Sequence, residues 1–314
     1  MNQTSTSDTS ASPLATLAVL NDVALQSYPQ SALYVLATPI GNVCDITLRA
    51  LHVLSIVDAV ACEDTRNTGH LMTRYGLSKP LMAAHEHNER EVADKIIARL
   101  QAGERIALVS DAGTPAVSDP GARIVDAVRN AGLRVLPLPG ASAAVTALCA
   151  SGLVNDRFHF AGFLPAKPKQ RENALTPLVN LTSTLVLYEA PHRIVETVDA
   201  LLLAFGPERQ IVLARELTKQ FEEIHRCPLA DAPAWLAQDD HRQRGEFVLL
   251  IEAAPVAEDD GAEADRVLRI LLAELPLKQA AALAAQLTGQ KKNALYERAL
   301  SMREDAGNTG DGGA

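Results

Sequence analysis

The chain has 314 residues, 47% hydrophobic and 21% charged, enough apolar material for about two packed domains and too much for a disordered polymer. Its formal charge of −9 argues against an indiscriminate polyanion binder, while leaving room for local basic patches that meet RNA. Cys44, Cys62, Cys149 and Cys227 stand at no zinc or redox spacing, so no metal site is expected.

Residues 1–31 are rich in Ser, Thr and Ala, lack a basic n-region, and read as a mobile tail rather than a secretory signal. Ala32–Thr38 is a short strand that runs into Pro39-Ile40-Gly41-Asn42. Ile46–Val57 has helical spacing, with Leu48, Leu51 and Leu54 on one side. Ala59–Ala61 is a second strand, followed by Glu63-Asp64-Thr65-Arg66. Glu89–Leu100 is an amphipathic helix closed by Gly103, and Arg105–Val109 a strand of the buried type. Ala122–Ala131 is a helix stopped by Gly132, Arg134–Leu138 a strand, and Ala141–Ala150 an Ala-rich helix.

After a break at Ser151–Asp156 the theme repeats. Phe158–Phe163, Thr184–Tyr188, Gln210–Arg215 and Glu246–Ala253 read as strands, with Glu222–Arg226 pairing at an edge. Arg193–Phe205 is a helix whose inner face carries Ile194, Val198, Leu201, Leu202 and Phe205. The fold class is therefore α/β, with largely parallel sheets in two domains, 32–151 and 152–254, and a cleft between them. An acidic linker, 255–265, leads to a helical module, 266–303, and a second mobile tail, 304–314. In the module, Lys278–Leu287 and Lys291–Leu300 flank a turn at Thr288-Gly289, which fits a helix-turn-helix or a plain helical hairpin. No apolar run approaches the ~20 residues of a membrane span.

Ligands of open α/β sheets bind beyond the carboxyl ends of the strands. The loop Ser110–Gly121 is the most informative of these segments. Gly113 and Gly121 allow close approach, Pro115 and Pro120 stiffen the chain, and Asp111, Thr114, Ser118 and Asp119 offer hydrogen-bonding groups. The plainer reading is an elaborate turn in which Asp119 caps the following helix. No GxxxxGK[ST], no GxGxxG after a strand and no GxSxG is present, so P-loop, dinucleotide and nucleophile-elbow chemistries fall away. His85 and His87, beside Glu86 and Glu89, read as a polar surface turn.

The segments Thr38-Pro39-Ile40-Gly41-Asn42 with Asp45-Ile46-Thr47, Glu63-Asp64-Thr65-Arg66, Ser110–Gly121, Pro139-Gly140-Ala141-Ser142, Gly162-Phe163-Leu164-Pro165, Tyr188-Glu189-Ala190-Pro191-His192-Arg193 and Arg215-Glu216-Leu217-Thr218-Lys219 follow one another in that order. Together, over roughly Leu33 to Leu300, they resemble the ribosomal RNA small subunit methyltransferase I family, a branch of the tetrapyrrole methylases. The resemblance implies two α/β domains of that type, a homodimer, and S-adenosylmethionine held in the interdomain cleft. It implies 2′-O-methylation of a cytidine in the decoding region of 16S rRNA, on an assembled small subunit in the cytoplasm, with no membrane or DNA partner. The alternatives are a tetrapyrrole or protein side-chain methylase of the same superfamily, and a non-enzymatic RNA-binding module.

On this reading Asp111, Gly113, Thr114 and Ser118 bind the cofactor, Ser142 and Ala190 close the pocket, and Ala214 forms its far wall. A general base would help a ribose hydroxyl attack. Glu63, Asp64, Glu189, Glu216 and His192 are candidates, with Glu189 preferred; the plainer role for such groups is ion pairing with Arg66, Arg193, Arg215 or Lys219. Lys167, Lys169 and Arg171, read as a basic loop, together with Arg66, Lys291 and Lys292, are expected to meet the phosphates of the substrate.

Overall fold

The computed structural model describes residues 21–85, 88–255 and 262–308. Its contacts divide the chain into two units, Met1–Ala254 and Pro255–Ala314.

In the first unit the short β-branched runs form two five-stranded sheets. The first contains β1 (Ala32–Leu36), β2 (Ala59–Cys62), β3 (Leu81–Ala83), β4 (Arg105–Val109) and β5 (Arg134–Leu138), in the order β3-β2-β4-β1-β5. Its pairings are all parallel, so each return needs a crossover. The crossovers supply α1 (Leu48–Ile56), α2 (Thr65–Arg74), α3 (Glu89–Gln101) and α4 (Ala122–Asn130).

Alternation along the strands fills both faces of this sheet. Ala32, Tyr34 and Leu36 of β1 pack with Val53 and Leu54 of α1 and Met72 of α2. Leu33 faces the other way, onto Ile96 and Leu100 of α3 and Ile124 and Val128 of α4. Residues before β1 are tied in as well, because Tyr34 donates to Pro29 O and Arg105 Nε donates to Tyr28 O.

The second sheet contains β6 (Phe158–Phe163), β7 (Thr184–Glu189), β8 (Gln210–Arg215), β9 (Glu223–Pro228) and β10 (Phe247–Ile251), ordered β6-β7-β10-β8-β9. Only β6 and β7 pair in parallel; β10 is antiparallel to both neighbours, and β9 to β8. Here the expectation of largely parallel sheets gives way to a mixed one. The link from Arg215 to Glu223 is too short for a parallel crossover.

One face of the second sheet is covered by α6 (Pro168–Leu175), α7 (Ile194–Phe205) and α8 (Ala232–Ala237), through Leu175, Val198, Leu201 and Trp235. The opposite face receives α5 (Ala143–Ala150), which leaves the end of β5 and lays Ala144 and Ala147 against Val186, Val212, Ala214 and Val248. Small side chains let this helix backbone come close to the strands. The chain thus crosses from one lobe to the other at α5, and the strand ends of both lobes meet there.

Among its described residues the second unit has three helices, α9 (Ala262–Glu274), α10 (Leu277–Thr288) and α11 (Lys292–Asn308). Ala264, Leu268, Ala284, Leu295 and Ala299 form its core. Gly289 ends α10 in the left-handed conformation, at φ 72°. The first of these helices begins at Ala262, inside the stretch expected as a linker. Glu263 and Asp265 therefore form its first turn, where the helix dipole favours acids. The last helix runs on to Asn308, past the expected tail boundary at 304. Residues 1–20, 256–261 and 309–314, parts of the expected tails and linker, lie outside the described residues, as do Glu86 and His87. Among the described residues, no helix is long and apolar enough to cross a membrane.

Candidate functional site

The loop after β4 is braced before it reaches the cleft. Thr38 and Gly113 exchange backbone hydrogen bonds of 2.9 and 3.0 Å, and Thr38 Oγ1 donates to Ser110 O at 3.0 Å. Ser110 Oγ donates to Gly113 O at 3.2 Å, and Thr114 Oγ1 to Ala141 O at 2.9 Å. Gly121 N donates to the buried Glu89 Oε1 at 2.7 Å. Gly121 itself is the N-cap of α4, with no side-chain cap bond, so Asp119 does not cap that helix. Ala116 and Ser118 are held at φ 67° and 61°, conformations that cost L-residues about 1–3 kcal/mol each and persist only where the surroundings enforce them.

The two lobes touch on both sides of the cleft, each time through a glycine. A β-carbon on Gly162 of β6 would stand 2.7 Å from Ser118 Oγ. One on Gly41, in the loop after β1, would stand 2.4 Å from Lys219 Cγ. Lys219 is anchored there by 2.8 Å bonds from Nζ to Glu216 Oε1 and to Glu246 Oε2.

Between these contacts lies a cavity of about 320 Å³. The first lobe lines it with Ile40, Gly113, Thr114, Val117, Ser118 and Asp119. The start of α5 adds Ser142 and Ala143, and the second lobe adds Phe163, Tyr188, Glu189, Ala190, Leu217, Lys219 and Val248. Tyr188 Oη accepts from Ala144 N at 3.2 Å, and its ring meets Phe160 and Phe163 edge-on at 5.0 and 5.7 Å.

Six of the residues expected at the cofactor or the chemistry come together here: Gly113, Thr114, Ser118, Ser142, Glu189 and Ala190. Two stand elsewhere. Asp111 turns away to accept from Asp64 N at 3.1 Å and from Asn67 Nδ2 at 2.7 Å, fixing the loop after β2. Ala214 is fully buried in β8, and the wall expected of it is formed by Val248, its neighbour across the β8–β10 ladder.

The structure gives Glu189 a structural setting rather than that of a base. Its side chain is 1% exposed. Oε1 accepts from Ala190 N at 2.8 Å and lies 3.2 Å from Arg193 Nε, while Oε2 accepts from the buried Thr197 hydroxyl at 2.7 Å. Asp64 pairs with Arg66 at 2.6 Å, and its carboxyl is held down at about 2 by those hydrogen bonds. Burial alone would raise the Glu216 carboxyl, but bonds from Lys219 and from Glu246 N–H outweigh it and lower it. His192 is exposed and does not line the cavity.

Tyr188, Lys219 and Phe163 line the cleft without a role assigned to them from the sequence, and Asp119, read there only as a loop hydrogen-bonding group or helix cap, lines it too. Burial, then the Glu63 charge, pushes the Asp119 carboxyl up to about 6. Burial, then Asp111 and Asp64, raises Glu63 too. Burial likewise raises the Tyr188 phenol.

Of the expected phosphate contacts, Lys167 is exposed, and so is Lys169, which pairs with Glu172 at 2.9 Å. Arg66 is exposed beside Asp64, and Lys291 and Lys292 are exposed at the start of α11. Arg171 departs from expectation. Its segment is the helix α6 rather than a loop, and helical periodicity turns Arg171 and Leu175 to the inner face. Arg171, 3% exposed, gives Nη2 to Glu196 at 3.0 Å and Nη1 to Thr197 at 3.3 Å, so it is spent inside the lobe.

Residues 32–233 match the family of tetrapyrrole (corrin/porphyrin) methylases, and residues 258–303 match the RsmI C-terminal HTH domain. Over 275 residues the chain is 50% identical to the ribosomal RNA small subunit methyltransferase I of Escherichia coli O157:H7, covering 87% of this chain and 96% of that relative. The enzyme of the same name from Pseudomonas aeruginosa is 53% identical over 274 residues, 86% of this chain and 97% of the relative. A crystal structure of diphthine synthase superposes with a TM-score of 0.55 at 17% identity, over 70% of this chain and 89% of that one, a likeness of fold alone.

Proposed function

The chain belongs to the ribosomal RNA small subunit methyltransferase I family within the tetrapyrrole methylases, and from that membership we propose that its cleft binds S-adenosylmethionine and serves the 2′-O-methylation of a cytidine in the decoding region of 16S rRNA. The acceptor in this reading is the assembled small subunit, and the enzyme works as a cytoplasmic homodimer.

The observation that carries the reading is the cavity of about 320 Å³ where the two lobes meet, apolar along Ile40, Val117, Leu217 and Val248 and acidic at Asp119. A cavity of roughly 300 Å³ or more is in the range of small-ligand sites. Apolar walls suit a flat purine, and an acidic corner suits a cationic ligand. S-adenosylmethionine, when bound, supplies a methyl group on a sulfonium leaving group.

The chain's own part is to hold and align. Gly113, Thr114 and Ser118 of the first lobe, Ser142 at the start of α5 and Ala190 after β7 are the cofactor contacts. Thr114 acts through its main chain, because its hydroxyl is engaged by Ala141 O. Asp111 acts one step removed, by fixing the loop after β2. Glu189 holds the turn that carries Ala190. Holding two reactants in line is worth about 7–11 kcal/mol in well-oriented systems.

Substrate enters past Phe163, an exposed aromatic on the cleft wall, with Lys167 and Lys169 following it in the chain. Arg66 contributes from the first lobe, and Lys291 and Lys292 from the helical unit, as phosphate contacts. The test is methyl transfer from labelled S-adenosylmethionine to isolated small subunits, with the modified nucleotide mapped, beside a porphyrinoid acceptor. One cytidine carrying a 2′-O-methyl group is the expected result. Transfer to the porphyrinoid and none to the subunit would overturn the reading.

A further inference from the structure

Three carboxylates border the cleft: Asp119, Glu189 and Glu246. Two are committed. Glu189 is sealed between Ala190 N, Arg193 and Thr197. Glu246, 74% exposed, holds Lys219 at 2.8 Å. Lys219 is fixed as an ammonium by Glu216 and Glu246. The Tyr188 phenol, raised by burial, keeps its proton.

Asp119 differs from all of these. It is partly buried, and among the described residues no basic side chain forms an ion pair with it. The charges of Glu63 after β2 and of Asp111 in its own loop act on it, its own charge acts on the Tyr188 phenol from β7, and Glu89 and Arg123 line a recess with it. A second recess of about 330 Å³ is lined by Ser118, Asp119 and Pro120 together with Glu89, Ala122 and Arg123. Asp119 borders both cavities. Of the three cleft carboxylates it is the one with no ion pair among the described residues, and it is shared between the cleft and the recess.

We infer that Asp119 is the general base of the methyl transfer, an assignment that rests on reading the cleft as the site of 2′-O-methylation. The ribose oxygen forms its bond to the methyl carbon as the carbon–sulfur bond breaks. The electron pair of that bond goes to sulfur, and the 2′-hydroxyl proton goes to the Asp119 carboxylate. The charges that balance at the end are a neutral thioether and a neutral carboxyl, which then loses its proton to solvent. A carboxyl raised to about 6 by burial and by Glu63 is a stronger base than an ordinary carboxylate and is still ionised at neutral pH.

The experiment is single-turnover methylation of small subunits from pH 5 to 8 by the wild-type chain, Asp119→Asn and Asp119→Glu, with S-adenosylhomocysteine affinity measured by calorimetry for each. The wild-type rate should rise with pH and level off above about 6. Asp119→Asn should be slower by about 10²–10⁴-fold and lose the acid limb, with cofactor-product affinity within a few-fold of wild type. Asp119→Glu should recover part of the rate. A normal rate in Asp119→Asn, a slow variant that keeps the acid limb, or a loss of cofactor affinity equal to the loss of rate would each overturn the assignment. If Asp119→Asn does not fold, a wild-type rate that is flat across the range overturns it and a rising limb supports it. A wild-type chain that methylates no subunit tells instead against the proposed function.

Discussion

Gly162 lies so close to Ser118 that a β-carbon on it would stand 2.7 Å from the Ser118 hydroxyl oxygen. The contact joins a strand of one lobe to the Ser110–Gly121 loop of the other, and Gly162 holds φ 65° while making it. Gly162→Ala meets both a left-handed backbone and a blocked space. The expected destabilisation is about 2–4 kcal/mol by chemical denaturation. Weaker S-adenosylhomocysteine binding should accompany it, because Ser118 must move. Wild-type values for both would show that the lobes do not meet here in solution.

Glu189→Gln removes the charge that faces Arg193 and one acceptor of a buried network. A loss of about 2–4 kcal/mol in stability is expected. The acid limb of the single-turnover rate should survive in the molecules that remain folded. Disappearance of that limb would return Glu189 to consideration as the base.

Arg171 and its two basic neighbours should separate cleanly. Arg171→Leu is expected to cost about 1–3 kcal/mol of stability, since Thr197 and Glu196 lose their partner, and to leave the salt dependence of subunit binding unchanged. Replacing Lys167 and Lys169 by Ala should do the reverse, holding the melting temperature and reducing the slope of log affinity against log salt by roughly 1–2. A changed salt slope in Arg171→Leu would contradict the inward placement.

The raised Asp119 carboxyl also marks stability. Its folded pKa of about 6 lies above that of an ordinary unfolded carboxyl. The folded state therefore keeps a proton that the unfolded state releases between about pH 4 and 6. The stability linked to that proton is fully present below pH 4 and is lost as pH rises through 6. Asp119→Asn should be more stable than wild type at pH 8, on the order of 1 kcal/mol once solvent screening is allowed for. The gap should close at pH 4. Thermal unfolding across this range reads it, and a gap independent of pH would contradict the shift.

Strand ends and the loop after β4 were legible because Gly and Pro punctuate them. Ser110–Gly121 could be singled out from its stiffness alone. The inward turn of Arg171 was not legible, since α6 spans eight residues, too few for a clear period among Lys, Arg and Glu. Strand β3 has three residues behind Pro80 and no alternation to read. Asp119 was legible as a hydrogen-bonding group of that loop or as a helix cap, but not by its surroundings, because its neighbours come from other segments. The parallel register that sets Cys62 opposite Val109 brings Glu63 and Ser110 to adjacent strand ends, and that pairing follows only from strand order. The antiparallel half of the second sheet was hidden for the same reason.

Strand β1 has consequences for synthesis as well as for structure. Among the described strands it is made first, yet its ladder partners are β4 and β5, the latter ending at Leu138. Strand β1 leaves the ribosome with no ladder partner until β4, about seventy residues later, and lacks its second partner until β5, about a hundred residues later. A nascent chain halted before β5 would expose one unpaired side of β1, an edge open to pairing with other chains. Chains arrested just before and just after Leu138 should therefore differ sharply in protease resistance.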